Sequence, residues 1–318
     1  MAPREAPRGL IVDLVTPLRD DLTIDAKGLE MLLARVSPHA QGLLLAGPRG
    51  GEGAKLNEDQ RRMLLEETLS MTCAELPLFV WITGSSVSET RHTLTLLSET
   101  VERKSFPALS LFWVDTPLYY HSNRGLEAHF RELARITGHP FILHNDPVRV
   151  STLGRPLKRK NIRTEILKDL CGLEFIAGMI YEGTPERSRH YLRAVRAGTR
   201  FRLYDGDEAR FLDHPSRSGV VSLGANLAPG PWQKITASSL HLNGERKIYP
   251  DHLSQLWETG RYLHDLAVLC RALPVSAIRQ VLFKTGLFPP TQPTPPEGTQ
   301  DAVRRLEELM RDHGDFPP

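Results

Sequence analysis

At 318 residues, with 40% hydrophobic and 25% charged content, the chain can bury a full core and matches the usual length of a single barrel domain better than two small ones. Its 40 Lys+Arg and 38 Asp+Glu are spread along the chain and leave a formal net charge of +2, which gives no footprint for nucleic acid or an anionic membrane and points to a small-molecule partner. No apolar run approaches the ~20 residues of a membrane span. The opening Met1-Ala2-Pro3-Arg4-Glu5 lacks the apolar stretch of a signal peptide, so a cytoplasmic protein is expected, with Cys73, Cys171 and Cys270 as free thiols.

In chain order, short apolar runs bounded by Gly or Pro fall at 10–15, 42–45, 78–82, 108–112, 141–143, 175–180, 201–204 and 219–222, which makes eight candidate strands. Helix-start signals lie between them: Asp25 before Leu29, Leu32, Leu33 and Val36; Asn57 with Gln60; Ser86 with Glu89; and Thr184 followed by Pro185. Strand and helix therefore alternate, which predicts a parallel sheet. Eight repeats in roughly 225 residues favour closure into a TIM (β/α)8 barrel over the runner-up, an open doubly wound sheet. The strand signal stops near residue 230, and 251–273, 275–285 and 299–313 read as helices, with a proline-rich connector at 288–296. The expected organisation is a barrel over 1–229 and a C-terminal helical extension over 230–318.

In such barrels the chemistry sits on loops that follow the strand C-termini. Here these carry Val15-Thr16-Pro17, then Gly47-Pro48-Arg49-Gly50-Gly51-Glu52, then Thr116-Pro117-Leu118-Tyr119-Tyr120, then His144-Asn145-Asp146-Pro147-Val148-Arg149. Strand 6 holds Ile176-Ala177-Gly178-Met179-Ile180, and strand 8 leads into Ser222-Leu223-Gly224-Ala225-Asn226. In this order and spacing the set resembles the dihydrodipicolinate synthase and N-acetylneuraminate lyase family over about residues 8–310. The resemblance implies a class I aldolase or lyase acting on pyruvate. A strand-6 lysine would form the Schiff base, a strand-5 tyrosine would shuttle protons, a Gly-Thr-Thr-Gly-Glu loop would hold the carboxylate, and a second tyrosine would come from a neighbouring subunit. It implies no cofactor, and a homodimer or homotetramer.

Several of these elements are replaced. Where the family reads Gly-Ile-Lys the chain has Gly178-Met179-Ile180, so Ile180, or Met179 on a one-residue shift, lines the site and neither can form an imine. Lys158, Lys160 and Lys168 fall in the preceding loop and helix. His144 stands in place of the strand-5 tyrosine. Pro48 and Arg49 stand where the threonines would be, in a loop one residue longer that keeps Gly50, Gly51 and a bracing Glu52. Arg149 matches the family arginine and suits a carboxylate; Tyr119 and Tyr120 match the paired tyrosines. Asp13 brings a carboxylate to strand 1 and is expected to pair with His144, Arg49 or Arg149. Ser222, Gly224 and Asn226 read as pocket-floor and turn residues, with Ser222 in the binding set. A metal held by Asp13, His144, Glu182 or Asp207 is not expected, because no local cluster has ligand spacing.

Three functions follow. The first is a keto-acid or carboxylate binder without Schiff-base catalysis. The second is a non-covalent lyase or hydrolase in which His144 and Asp13 form an acid/base pair, with Tyr119 or Tyr120 assisting. The third is a non-catalytic structural or regulatory homologue.

Overall fold

Eight parallel strands, each hydrogen-bonded to the next, close into a barrel when β8 pairs with β1. The strands of this computed structural model are β1 (Gly9–Asp13), β2 (Gly42–Leu45), β3 (Leu78–Trp81), β4 (Leu111–Asp115), β5 (Phe141–Asn145), β6 (Ile176–Tyr181), β7 (Arg202–Asp205) and β8 (Gly219–Ser222). It describes residues 5–72, 76–104, 110–195, 200–240, 250–288 and 298–316; Cys73 and most of the proline-rich connector lie outside them.

The period of two along each strand sorts the apolar side chains into two clusters. One contains Ile11, Leu44, Phe79, Trp81, Phe112, Val114, Ile142, Ala177, Ile180, Tyr204 and Val221, drawn from all eight strands, and fills the barrel lumen. Alternate residues, such as Val12, Leu43, Val80, Trp113, Leu143, Met179 and Leu203, join the larger cluster shared with the helices. Below the lumen, Ala6 completes the inner cluster, and Tyr204 and Arg202 donate to the carbonyls of Pro7 and Ala6 at 2.5 and 3.0 Å. These contacts close the bottom of the barrel and leave the opposite mouth as its open end.

The helices begin where the sequence signals them. Asn57 and Gln60 form a reciprocal capping box at α2 (Glu58–Met71), following α1 (Ala26–Val36). Ser86 caps α3 (Val87–Arg103), and Thr184 caps α8 (Pro185–Ala194) behind an N-terminal Pro185. Asp25 sits at the N-cap of α1 but makes no side-chain cap bond. The loops after β4 and β5 hold α4 (Pro117–Tyr120), α5 (Leu126–Leu133), α6 (Pro147–Ser151) and α7 (Thr164–Leu170), and that after β7 holds α9 (Glu208–Asp213). β4 starts and ends three residues later than the expected 108–112, with Asp115, polar but hydrogen-bonded, as its last residue. After β8 come α10 (Pro229–Leu240), α11 (Pro250–Ala272), α12 (Val275–Lys284) and α13 (Gln300–Asp312). Cys171 and Cys270 are free thiols, and burial pushes Cys171 up to about 12. No helix among the described residues is long and apolar enough to cross a membrane.

Candidate functional site

Strand alternation decides which candidate side chains reach the mouth. On β1, Ile11 faces the lumen and so does Asp13 two residues on; on β5, Ile142 and His144 stand in the same relation. On β6, Ile180 lies in the lumen cluster while Met179 packs outward among the helices. Of the two residues that the resemblance sets against the family lysine, Ile180 faces the lumen and Met179, grouped with it in the sequence reading, does not.

Asp13 is almost fully buried, and the strand-2 loop is wrapped around it. The Gly50 amide donates to Asp13 Oδ2 at 2.8 Å, and a Cβ on Gly47 or Gly50 would collide with the carboxylate. Gly51 is pressed onto the backbone of Ala46 and Gly47, and its carbonyl accepts from Thr16 Oγ1 at 2.8 Å. These two glycines, expected to line the ligand, instead let the loop fold onto strand 1. Glu52 holds a left-handed backbone (φ 48°) and ties the loop to α12 through Arg279 at 2.6 Å. Burial lifts the Asp13 carboxyl to about 7, against the Gly50 hydrogen bond and the nearby Arg49 charge.

His144 finds a different partner from the one expected. Its Nε2 lies 2.9 Å from Glu182 Oε1, at the end of β6, and its Nδ1 lies 2.9 Å from Thr116 Oγ1. Thr116 is in turn held by Trp81 Nε1 at 3.0 Å. Burial alone would lower the ring's pKa; the Glu182 carboxylate overrides it and holds His144 above the ordinary histidine value. Glu182, against the pull of its own burial, is held below the usual carboxylate range by that contact.

The tyrosine pair divides. Tyr120 turns away from the mouth: its hydroxyl donates to Asp115 Oδ2 at 2.6 Å and meets His129 Nε2 at 2.7 Å. Asp115 also accepts from Thr83 Oγ1 at 2.7 Å, and burial lifts its carboxyl to about 6 despite these bonds. Tyr119 instead lies under the Arg149 guanidinium, 4.7 Å from its ring centroid, with Trp81 on the same guanidinium at 4.9 Å. Ser222 donates to the buried Glu208 at 2.5 Å and is closed off from the mouth. Asn226 bridges Val15 and Asp13 backbone groups, locking β1 to the loop after β8.

Above the lumen opens a cleft of about 630 Å3 lined by Arg49, Arg149, Arg187 and Arg271 together with Asp146, Glu182 and Asp207. Asp207 pairs with Arg271 at 2.6 Å. Arg49 and Arg149 are different: Nη2 of the first and Nε of the second are buried with no hydrogen-bond partner. Arg49 thus points inward. Among the described residues no lysine lines this cleft; Lys158 donates to the Tyr119 carbonyl at 2.9 Å, and Lys168 pairs with Glu165. Chemically, the mouth can dock an anion on guanidinium groups beside a charged imidazole–carboxylate pair, and it offers no amine. Sequence reasoning missed Thr116, Trp81 and Asp146. Asp146 stands in a quoted motif, but only the pairing of β5 with β6 shows it beside Glu182.

Fold and site together define a (β/α)8 barrel of the aldolase type with an arginine-lined mouth. The chain belongs to the dihydrodipicolinate synthetase family, whose profile matches residues 6–257. It is 28% identical to the 4-hydroxy-tetrahydrodipicolinate synthase of Shewanella piezotolerans over 88% of either chain, and 28% identical to that of Alcanivorax borkumensis over 96% of this chain and 98% of the other. Its fold is similar to that of a monomeric dihydrodipicolinate synthase variant (TM-score 0.78, 20% identity, 99% of each chain). It is also similar to the Acinetobacter baumannii dihydrodipicolinate synthase complexed with pyruvate (TM-score 0.76, 19% identity, 97% of this chain and 99% of the other).

Proposed function

We propose that the protein binds a small carboxylate, of the 2-oxo acid class that includes pyruvate, at the barrel mouth and does not activate it through an imine. The observation that carries this reading is Ile180 at the lumen position of β6, with no lysine among the described residues that line the cleft. A Schiff base needs an amine, and losing the nucleophile of a catalytic unit removes most of its rate. Arg149, clamped between Trp81 and Tyr119, and Arg49 present the guanidinium donors for the carboxylate. The Acinetobacter neighbour, solved with pyruvate, supports the ligand class. The test is incubation with pyruvate and a panel of 2-oxo acids under borohydride, followed by intact-mass measurement. The expected result is unmodified protein that the same acids stabilise against heat; a lysine adduct rejects the reading.

The His144–Glu182 contact at 2.9 Å favours a second reading, in which the same mouth carries out non-covalent acid/base chemistry on the bound acid, with Glu182 in the role expected of Asp13. Turnover of a 4-hydroxy-2-oxo acid that disappears in His144→Ala supports it; no turnover of the panel opposes it. The protein is taken as cytoplasmic and as a homodimer or homotetramer, which sedimentation analysis tests: a strict monomer rejects the assembly.

A further inference from the structure

We propose that His144, Asp146 and Glu182 form a binding site for a divalent ion of the manganese-to-zinc series at the barrel mouth. The three arrive from two neighbouring strands. His144 pairs with Ile180 across β5 and β6, so Asp146 and Glu182, each two residues further on, project beyond the same barrel rim. One donor atom from each lies within 4.8 Å of the others. Two ligands at about 2.1 Å from an ion and a right angle apart are about 3.0 Å from each other. The His144 Nε2 to Glu182 Oε1 separation of 2.9 Å already meets that geometry. Asp146 needs only a side-chain movement to complete the set.

The outer contacts are those of a ligand set. The Thr116 hydroxyl fixes the His144 ring through Nδ1 at 2.9 Å, and Trp81 fixes Thr116, so Nε2 is aimed at the two carboxylates. Asp146 Oδ1 accepts the Arg149 amide at 2.8 Å as the N-cap of α6, which orients its carboxyl group. Glu182 pairs with His144, while Arg49 and Arg149 line the same cleft. Once His144 gives up its Nε2 proton to solvent on binding, two carboxylates and a neutral imidazole are neutralised by one divalent cation, and a mixed nitrogen and oxygen donor set suits manganese, cobalt or zinc better than calcium.

An independent feature of the cleft shows what completes the coordination. Arg49 and Arg149 both line this cleft, and each keeps a buried guanidinium nitrogen without a hydrogen-bond partner, which suits an anion. A 2-oxo acid held there by its carboxylate can give its carbonyl oxygen to the ion, which would polarise that carbonyl in a mouth that lacks an amine. The ion site itself does not depend on the identity of that acid.

The test is calorimetric titration of chelator-treated full-length protein with manganese, cobalt and zinc chlorides, with the cobalt visible spectrum as a second readout. One equivalent should bind, and cobalt should give an absorption band of a protein-bound ion. Asp146→Asn keeps an N-cap acceptor for α6, and Glu182→Gln keeps an acceptor for His144. Each should fold with near-native ellipticity and bind the ion at least about tenfold more weakly. Absence of saturable binding for all three ions, or binding that both substitutions leave unchanged, overturns the proposal. Neither result bears on imine formation, which the borohydride experiment reads separately.

Discussion

The two sides of the barrel mouth treat buried charge in opposite ways. On the β7–β8 side, the charges close on one another. Arg210 pairs with Asp205, donates to the carbonyls of Tyr181 and Gly183 at 2.6 and 2.5 Å, and stacks on Tyr181. Asp205 takes the Ser216 amide at 2.9 Å, and Glu208 takes Ser222 and the Gly224 amide. On the side built from β1, the strand-2 loop, β5 and β6, groups of the same kind are left open: Asp13 Oδ1, Arg49 Nη2 and Arg149 Nε lie buried without partners. A buried polar atom left unpaired costs about 1–3 kcal/mol, which a ligand that pairs with it recovers. On the proposed function, the closed side is architecture and the open side is where a ligand would gain affinity.

That contrast can be broken by substitution. The largest effect belongs to the closed side: Arg210→Ala strands the Asp205 carboxylate and should lose about 3–5 kcal/mol in denaturant unfolding, whether or not a carboxylate ligand is present. A cost confined to the ligand-bound state would reverse the assignment of the two sides.

Asp13 gives a pH signature. Its carboxyl stands at about 7 in the folded protein against an ordinary 3.8, so the folded state binds the proton more tightly than the unfolded one. Its contribution to stability is present below pH 4 and is lost as pH rises through 7, by up to about 4 kcal/mol for three units at 1.36 kcal/mol each. Asp13→Asn keeps the acceptor for Gly50 and removes the titration. The variant should gain on the natural protein steadily between pH 4 and 8 in thermal unfolding; a difference that does not change with pH contradicts this.

On the open side Arg149→Ala should weaken carboxylate binding by about 1.5–3 kcal/mol, tenfold or more in Kd, with a smaller effect on unfolding of the free protein. The smallest change is Tyr120→Phe, which removes the hydroxyl's hydrogen bonds to Asp115 and His129 and should cost about 1–2 kcal/mol of stability while leaving ligand affinity unchanged. A large loss of affinity there would bring Tyr120 back into the site.

Much of the frame was legible in the sequence. The eight apolar runs and the Asn57, Ser86 and Thr184 caps are local signals, and short-range physics decides them. That neither Met179 nor Ile180 is an amine was legible too, although which of them faces the lumen was not: both are apolar, and only the pairing of β6 with its neighbours shows it. Side-chain partners were the least legible. Asp13 was expected to meet His144 through the barrel mouth, yet the loop from Gly47 to Gly51 folds back far enough to give Asp13 a backbone amide. His144 is left to Glu182, 38 residues away in the chain. Tyr119 and Tyr120 are identical in sequence terms and separate only because a single helical turn sends one to Arg149 and the other to Asp115.

The most direct test of the central claim is intact-mass measurement of the natural protein after pyruvate and borohydride, run beside thermal unfolding with and without pyruvate for the natural protein and Arg149→Ala. The account predicts an unchanged mass together with a saturable stabilisation that Arg149→Ala abolishes. A covalent pyruvate adduct, mapped to any lysine, would contradict it.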